Sequence, residues 1–271
     1  HGGAFLDIAN RREADYIKKK LPSMYHQFKE LGDLDITKER MEVGPTTHYM
    51  MGGIKVDART SASTLKGMYA AGEAAAGLHG ANRLGGNSLS DLLVFGNIAG
   101  RSAANFAMKN EMLPYNKTTI EESINQILEC FHEDKKENPY QIHSELQDIM
   151  EMHVGIVREE KILDNGIKKL EELKHKVMNT KAIGGRAYNP SWHLCLDLQN
   201  MLTTSLAVAK AARERNESRG GHTRLDYPDY DLDLGKINII IRKGPDGPNI
   251  IKSTKSKMPT DLKEFVEKEA L

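Results

Sequence analysis

Between Pro45 and Phe106 the chain changes character: glycine and alanine dominate, charge thins out, and short apolar runs such as Gly67-Met68-Tyr69-Ala70-Ala71-Gly72 lie between glycines. A stretch of this kind suits close approach of one backbone to another, and the apolar runs read as buried strands. Near its far end, Asn87-Ser88 precedes Leu89-Ser90-Asp91-Leu92-Leu93-Val94-Phe95. A short polar side chain there can satisfy the free amides of a first turn, which predicts a capped helix running to about Met108.

The flanks follow other periods. Residues 11 to 31 predict a helix with Ile17, Leu21, Tyr25 and Phe28 on one stripe, kinked or divided by Pro22. Beyond Tyr115 the chain is helical and charged. Leu146, Ile149, His153, Ile156, Leu163, Ile167, Leu170 and Val177 recur at helical spacing, predicting one face of a long helix. A second helix, roughly Ser191 to Arg215, carries Leu194, Leu198, Met201, Leu202 and Val208, so the two can pack in a bundle. Lys236 to Arg242 and Asn249 to Lys252 flank Gly244-Pro245-Asp246-Gly247, which predicts a hairpin, and a short helix is expected after Pro259.

Composition narrows the partners. With 271 residues and 39% hydrophobic content the chain can build real cores. Thirty-eight basic residues balance thirty-eight acidic ones, so net charge favours neither nucleic acid nor an anionic membrane. Cys130 and Cys195 lack the spacing of a zinc site or a redox pair and are expected to be reduced thiols; no metal is expected. The longest apolar runs fall far short of the roughly 20 residues that span a bilayer. A cytoplasmic protein, or one docked on a membrane face through partners, is the expectation. The chain opens on His1-Gly2-Gly3-Ala4-Phe5 without an initiator Met, as expected of a portion of a longer protein, and it contains no G-x-G-x-x-G turn for a dinucleotide pyrophosphate.

Three clusters in the glycine-rich segment carry candidate chemistry: Pro45-Thr46-Thr47-His48-Tyr49-Met50-Met51-Gly52-Gly53, Ala71-Gly72-Glu73-Ala74, and His79-Gly80-Ala81-Asn82-Arg83-Leu84-Gly85-Gly86-Asn87-Ser88-Leu89. Singly, each has a bland reading: a loop histidine as a structural hydrogen bonder, an arginine as an ion-pair partner, a glutamate capping a turn. Together they say more, because an arginine between glycine turns is poorly explained by packing and well suited to gripping a carboxylate with two parallel hydrogen bonds.

In this order the motifs resemble the second half of the FAD domain in succinate dehydrogenase and fumarate reductase flavoproteins. The resemblance runs on through Leu146-Gln147, Gly155-Ile156-Val157-Arg158, Asn200-Met201-Leu202 and Glu217-Ser218-Arg219-Gly220-Gly221-His222-Thr223-Arg224, covering residues 1 to about 230. It implies that His48 and Arg83 hold substrate carboxylates, that Glu73 contacts the FAD ribose, and that Asn87, Ser88 and Leu89 lie against the cofactor. The implied activity is interconversion of succinate and fumarate by hydride transfer at FAD. The family's proton-shuttle arginine falls upstream of His1, so no catalytic residue can be named. The implied partners are the dicarboxylate, the N-terminal FAD-binding half of the same protein and an iron-sulfur subunit; nucleic acid is not among them.

The fold expected is a mixed α+β or α/β chain: a glycine-rich remainder of a FAD-binding domain, then a helical bundle, then a short C-terminal β hairpin. Its boundaries are a cap-domain remnant at 1–44, the FAD-domain remainder at 45–108, a helical domain at 109–230, and hairpin and tail at 231–271. In the Glu217 to Arg224 motif, packing is favoured over chemistry: Gly220 and Gly221 are expected to end the preceding helix, and the arginines to pair with carboxylates of a neighbouring domain. Two rival readings remain. L-aspartate oxidase shares the HGANR pattern, and Leu225-Asp226-Tyr227-Pro228 is similar to it; alternatively, the helical region is a non-catalytic module that docks on an iron-sulfur subunit.

Overall fold

A computed structural model describes residues 3–44, 47–112, 114–245 and 247–260. The chain separates into two compact units, residues 1–48 and 49–271. The helix expected after Pro259 lies outside the described residues.

In the first unit, β1 (Ala4–Leu6) pairs antiparallel with β2 (Met41–Val43), and α1 (Ala14–Lys20) and α2 (Pro22–Gly32) lie between them in sequence. Proline fits the first turn of α2, where its missing N–H has no intrahelical partner to lose, so the predicted helix is divided at Pro22. Ile17, Ile36 and Met41 form the buried core, with Tyr25, Phe28 and Val43 packed against it.

The second unit opens with β3 (Ile54–Lys55) and β4 (Ala75–Ala76), which pair in parallel. The strand expected at 67–72 does not form. Tyr69 makes only an isolated bridge to Ala62, and the left-handed backbone at Gly67 (φ 86°) and Gly72 (φ 68°) interrupts extension at both ends. Next comes α3 (Asn87–Lys109), ending where the sequence predicts. Its start differs: the N-cap is Gly86, with φ 83° and no side-chain hydrogen bond, so Asn87 and Ser88 are the first helical residues rather than caps.

After α4 (Lys117–Leu128), the long helix expected across 146–177 is two helices, α5 (Pro139–Val154) and α6 (Glu160–Met178). The break has a local cause. Gly155 leaves the helix, Arg158 Nε donates to the carbonyls of Val154 and Gly155, and Val157–Arg158 becomes β5. Ile156 is consequently exposed rather than on the core stripe. The next helix, α7 (Pro190–Glu214), begins with the Asn189 side chain accepting from the Trp192 amide. Leu146, Ile149, Leu163, Leu170, Leu173, Leu198, Leu202 and Ala209 form the core of this bundle, whereas Met201 is exposed. Cys130 and Cys195 are buried free thiols in a smaller cluster with Ala182, and burial pushes the Cys130 thiol up to about 11. Among the described residues no His, Cys, Asp or Glu group is arranged to hold a metal.

Strand β6 (Thr223–Arg224) pairs in parallel with β5, and β7 (Ile237–Gly244) with β8 (Gly247–Thr254) make the predicted antiparallel hairpin. The mixed fold class, with a helical domain and a C-terminal hairpin, is the one the sequence implies. Among the described residues no helix is long and apolar enough to cross a membrane.

Candidate flavin and carboxylate site

Arg83 sits in the loop between β4 and α3, half-buried, with its guanidinium carbon 4.6 Å from the centroid of the Tyr49 ring. That stacking suits a planar, weakly hydrated cation. Nη1 donates to the Leu84 carbonyl at 3.2 Å, while Nε is buried with no hydrogen-bond partner among the described residues. A guanidinium with an unsatisfied buried donor retains strong capacity for an anion, because leaving such a group unpaired is costly. The edge formed by Nε and Nη2 has the geometry to grip a carboxylate with two parallel bonds.

Tyr49 is held in turn. Its hydroxyl lies 3.5 Å from Asp91 Oδ2, and the same oxygen is 3.3 Å from His79 Nε2. The Tyr49 and His79 rings meet edge to face at 5.5 Å. Burial, reinforced by the nearby carboxylates of Asp91 and Glu73, raises the Tyr49 phenol, so it stays a neutral donor. Asp91 is a buried acid on α3, a helix whose neighbouring Leu92, Leu93 and Val94 are exposed. Sequence reasoning passed over Asp91, Tyr49 and His79 as a set. The available signal was an acid inside the apolar run Leu89 to Phe95.

Glu73 occupies a 3-10 turn (Gly72–Ala74), and its Oε1 accepts from the Met50 amide at 2.8 Å. Its carboxylate is therefore oriented. Ser88 and Leu89 fall in the first turn of α3, whose amides have no side-chain cap. An uncapped helix start carries partial positive charge and free N–H groups, which favours a polar or anionic group there by about 0.3–1 kcal/mol. Asn87 opens the same turn. These features fit part of a flavin nucleotide: an oriented acid for ribose hydroxyls and an open helix end for an electron-rich ring edge. Tyr49, Glu73, His79, Arg83, Asn87, Ser88, Leu89 and Asp91 all belong to the second unit, whereas His48 is exposed in the first, after β2.

An oriented acid, a helix start without a side-chain cap and a stacked arginine are groups that could hold part of a nucleotide cofactor and an anion. Family comparison agrees. Residues 2–89 match the FAD binding domain and residues 143–261 match the fumarate reductase flavoprotein C-terminal region. The relative from the CoM/CoB fumarate reductase of Methanothermobacter marburgensis is 38% identical over 243 residues, which cover 90% of this chain and 44% of the relative. The succinate dehydrogenase flavoprotein subunit of Coxiella burnetii is 34% identical over 228 residues, covering 79% of this chain and 39% of the relative. Among solved structures, Mycobacterium smegmatis Sdh1 in complex with UQ1 superposes with a TM-score of 0.88 at 47% identity, covering 98% of this chain and 46% of that one. The chain belongs to the succinate dehydrogenase and fumarate reductase flavoprotein family, whose cofactor is FAD. It spans less than half the length of these relatives.

Proposed function

We propose that the protein carrying this chain interconverts succinate and fumarate, with Arg83 as a carboxylate anchor. The observation behind this is the Arg83 guanidinium, stacked on Tyr49 and with a buried Nε lacking any partner among the described residues. Bound FAD would supply the hydride chemistry at the carbon–carbon bond. The chain's own residues bind and orient. Arg83 fixes one carboxylate and so the placement of the reacting carbons, Tyr49 and Asp91 hold Arg83 in register, and His48 is assigned a second donor role at a carboxylate. Glu73 is assigned to the ribose, and Asn87, Ser88 and Leu89 to the flavin edge at the start of α3.

Residues 1–44 are assigned to a cap-domain remnant, 45–108 to the remainder of the FAD domain, 109–230 to a helical domain, and 231–271 to a hairpin and tail. The remaining FAD-binding half of the protein and an iron-sulfur subunit are the proposed partners, which would hold the protein at the cytoplasmic face of a membrane. Support for partners comes from the relatives, which are named as subunits. The test is turnover by the intact purified protein with succinate and an artificial acceptor, and with fumarate and a reduced donor. Activity in neither direction, from flavin-loaded protein, would reject the reading.

A further inference from the structure

The Glu217 to Arg224 motif does not end a helix: α7 stops at Glu214, and the arginines find their partners close by in sequence. Glu217 is wholly buried. It accepts from Arg215 Nη1 at 2.6 Å, from Arg219 Nε at 3.0 Å and from the Asp231 amide at 3.0 Å, and these bonds hold its carboxyl down to about 2 despite burial. Arg219 also donates to the Asp231 carbonyl and stacks on Tyr230 at 4.9 Å. The backbones of Arg219 and His222 exchange hydrogen bonds of 2.8 and 3.0 Å, closing a tight turn with Gly220 and Gly221 at its tip. The His222 ring is clamped between Arg158 and the Arg215 carbonyl. The turn is therefore rigid, with a buried ionic base.

Its tip meets the loop that carries Arg83. The Gly221 amide donates to the Ala81 carbonyl at 3.0 Å. Gly220 is left-handed (φ 57°), and a Cβ there would collide with the Ala81 carbonyl oxygen and lie 2.6 Å from its carbon and 2.7 Å from the Ala81 Cβ. Two requirements thus meet at Gly220: a backbone conformation that disfavours a side chain, and a neighbour that leaves no space for one. Ala81 is two residues before Arg83.

We infer that the Glu217–Arg224 turn is a positioning element for Arg83: its glycine tip grips the Ala81 carbonyl and fixes where the Arg83 guanidinium is presented. The inference rests on the reading of Arg83 as carboxylate anchor. The geometry makes Glu217, Arg219 and Gly220 positioning residues, acting through Ala81 without touching substrate.

The test uses the intact flavin-loaded protein and compares Gly220→Ala, Gly220→Asn and Glu217→Gln with a control, Gly247→Ala. Gly247 is also left-handed, but a Cβ there meets nothing within 4 Å. Amide hydrogen exchange across residues 79–84 and steady-state KM and kcat per bound flavin are measured. Both Gly220 variants are expected to quicken exchange in 79–84 and to raise the dicarboxylate KM or lower kcat by on the order of 10- to 100-fold, the effect of a misplacement of about an ångström. Asparagine tolerates the left-handed conformation yet brings the same Cβ, so it should fail as alanine does. Glu217→Gln should move both readouts in the same direction, and Gly247→Ala neither. Unchanged exchange in 79–84 for Gly220→Ala and Glu217→Gln, or a Gly220→Asn variant that behaves as the native protein, overturns the inference. Faster exchange with unchanged dicarboxylate kinetics would leave the mechanical link standing and reject the assignment of Arg83 to the substrate.

Discussion

The Arg83 guanidinium lies over the face of Tyr49 at 4.6 Å, so among the described residues it is placed by an aromatic ring rather than by a carboxylate. A carboxylate partner would neutralise it; a ring leaves the charge available to a ligand. Such stacking contributes about 0.5–2 kcal/mol. Tyr49→Leu should therefore weaken dicarboxylate binding by roughly 2- to 30-fold, with flavin content unchanged. Tyr49→Phe keeps the ring and loses the long 3.5 Å contact to Asp91, so it should stay within a few-fold of native. Substrate titration of flavin absorbance measures both.

Glu73 accepts from the Met50 amide, which orients its carboxylate. Glu73→Ala should lower the flavin content of purified protein while turnover per bound flavin stays near native. Glu73→Gln, which can still accept from Met50, should be milder. Flavin-to-protein ratio and turnover are read on the same samples.

Much of this was legible in the sequence because it rests on local rules. Pro22 divides a helix, the apolar stripe from Leu194 to Val208 marks another, and glycines around 244–247 turn a hairpin. Other expectations failed where contacts distant in sequence override local pattern. A continuous helical stripe from Leu146 to Val177 concealed the break at Gly155, which the Arg158 side chain and the pairing of β5 with the far-off β6 stabilise. Arg83 was visible as an oddity among glycines, but Asp91 and Tyr49 behind it were not, since burial of an acid depends on which elements fold over it. The tie from Gly221 to Ala81 was invisible for the same reason.

His222 makes stability depend on pH. Its Nδ1 faces Arg158 Nη1 at 2.7 Å and must accept, so Nε2 carries the proton and donates to the Arg215 carbonyl at 3.0 Å. Burial first, then the surrounding arginines, lowers its pKa below the ordinary 6.5. The native state thus binds fewer protons than the unfolded one below that value, and stability falls as pH drops through about 6.5 toward the lower native value. Denaturant titrations between pH 7.5 and 5.5 should show this loss, and His222→Gln should flatten it.

Leu198 is fully buried between the helices of the bundle. Leu198→Ala removes packed atoms from a site held on several sides and should cost about 2–5 kcal/mol of unfolding free energy, whereas Met201→Ala, on the exposed face of the same helix, should cost far less. Urea denaturation followed by circular dichroism compares them.

Arg83→Lys in the intact flavin-loaded protein probes the carboxylate grip itself. Lysine keeps the charge but replaces a planar fork with a point donor, so it cannot make the paired grip that aligns the reacting carbons. The measurement is succinate and fumarate turnover per bound flavin, with flavin content determined on the same preparation. The expected result is native flavin content and turnover lower by on the order of 10- to 100-fold, the loss that follows when a charge-assisted contact of roughly 1.5–3 kcal/mol is made poorly in the transition state. Native turnover per flavin in Arg83→Lys, or flavin lost in proportion to activity, would contradict the role of Arg83 as the carboxylate anchor.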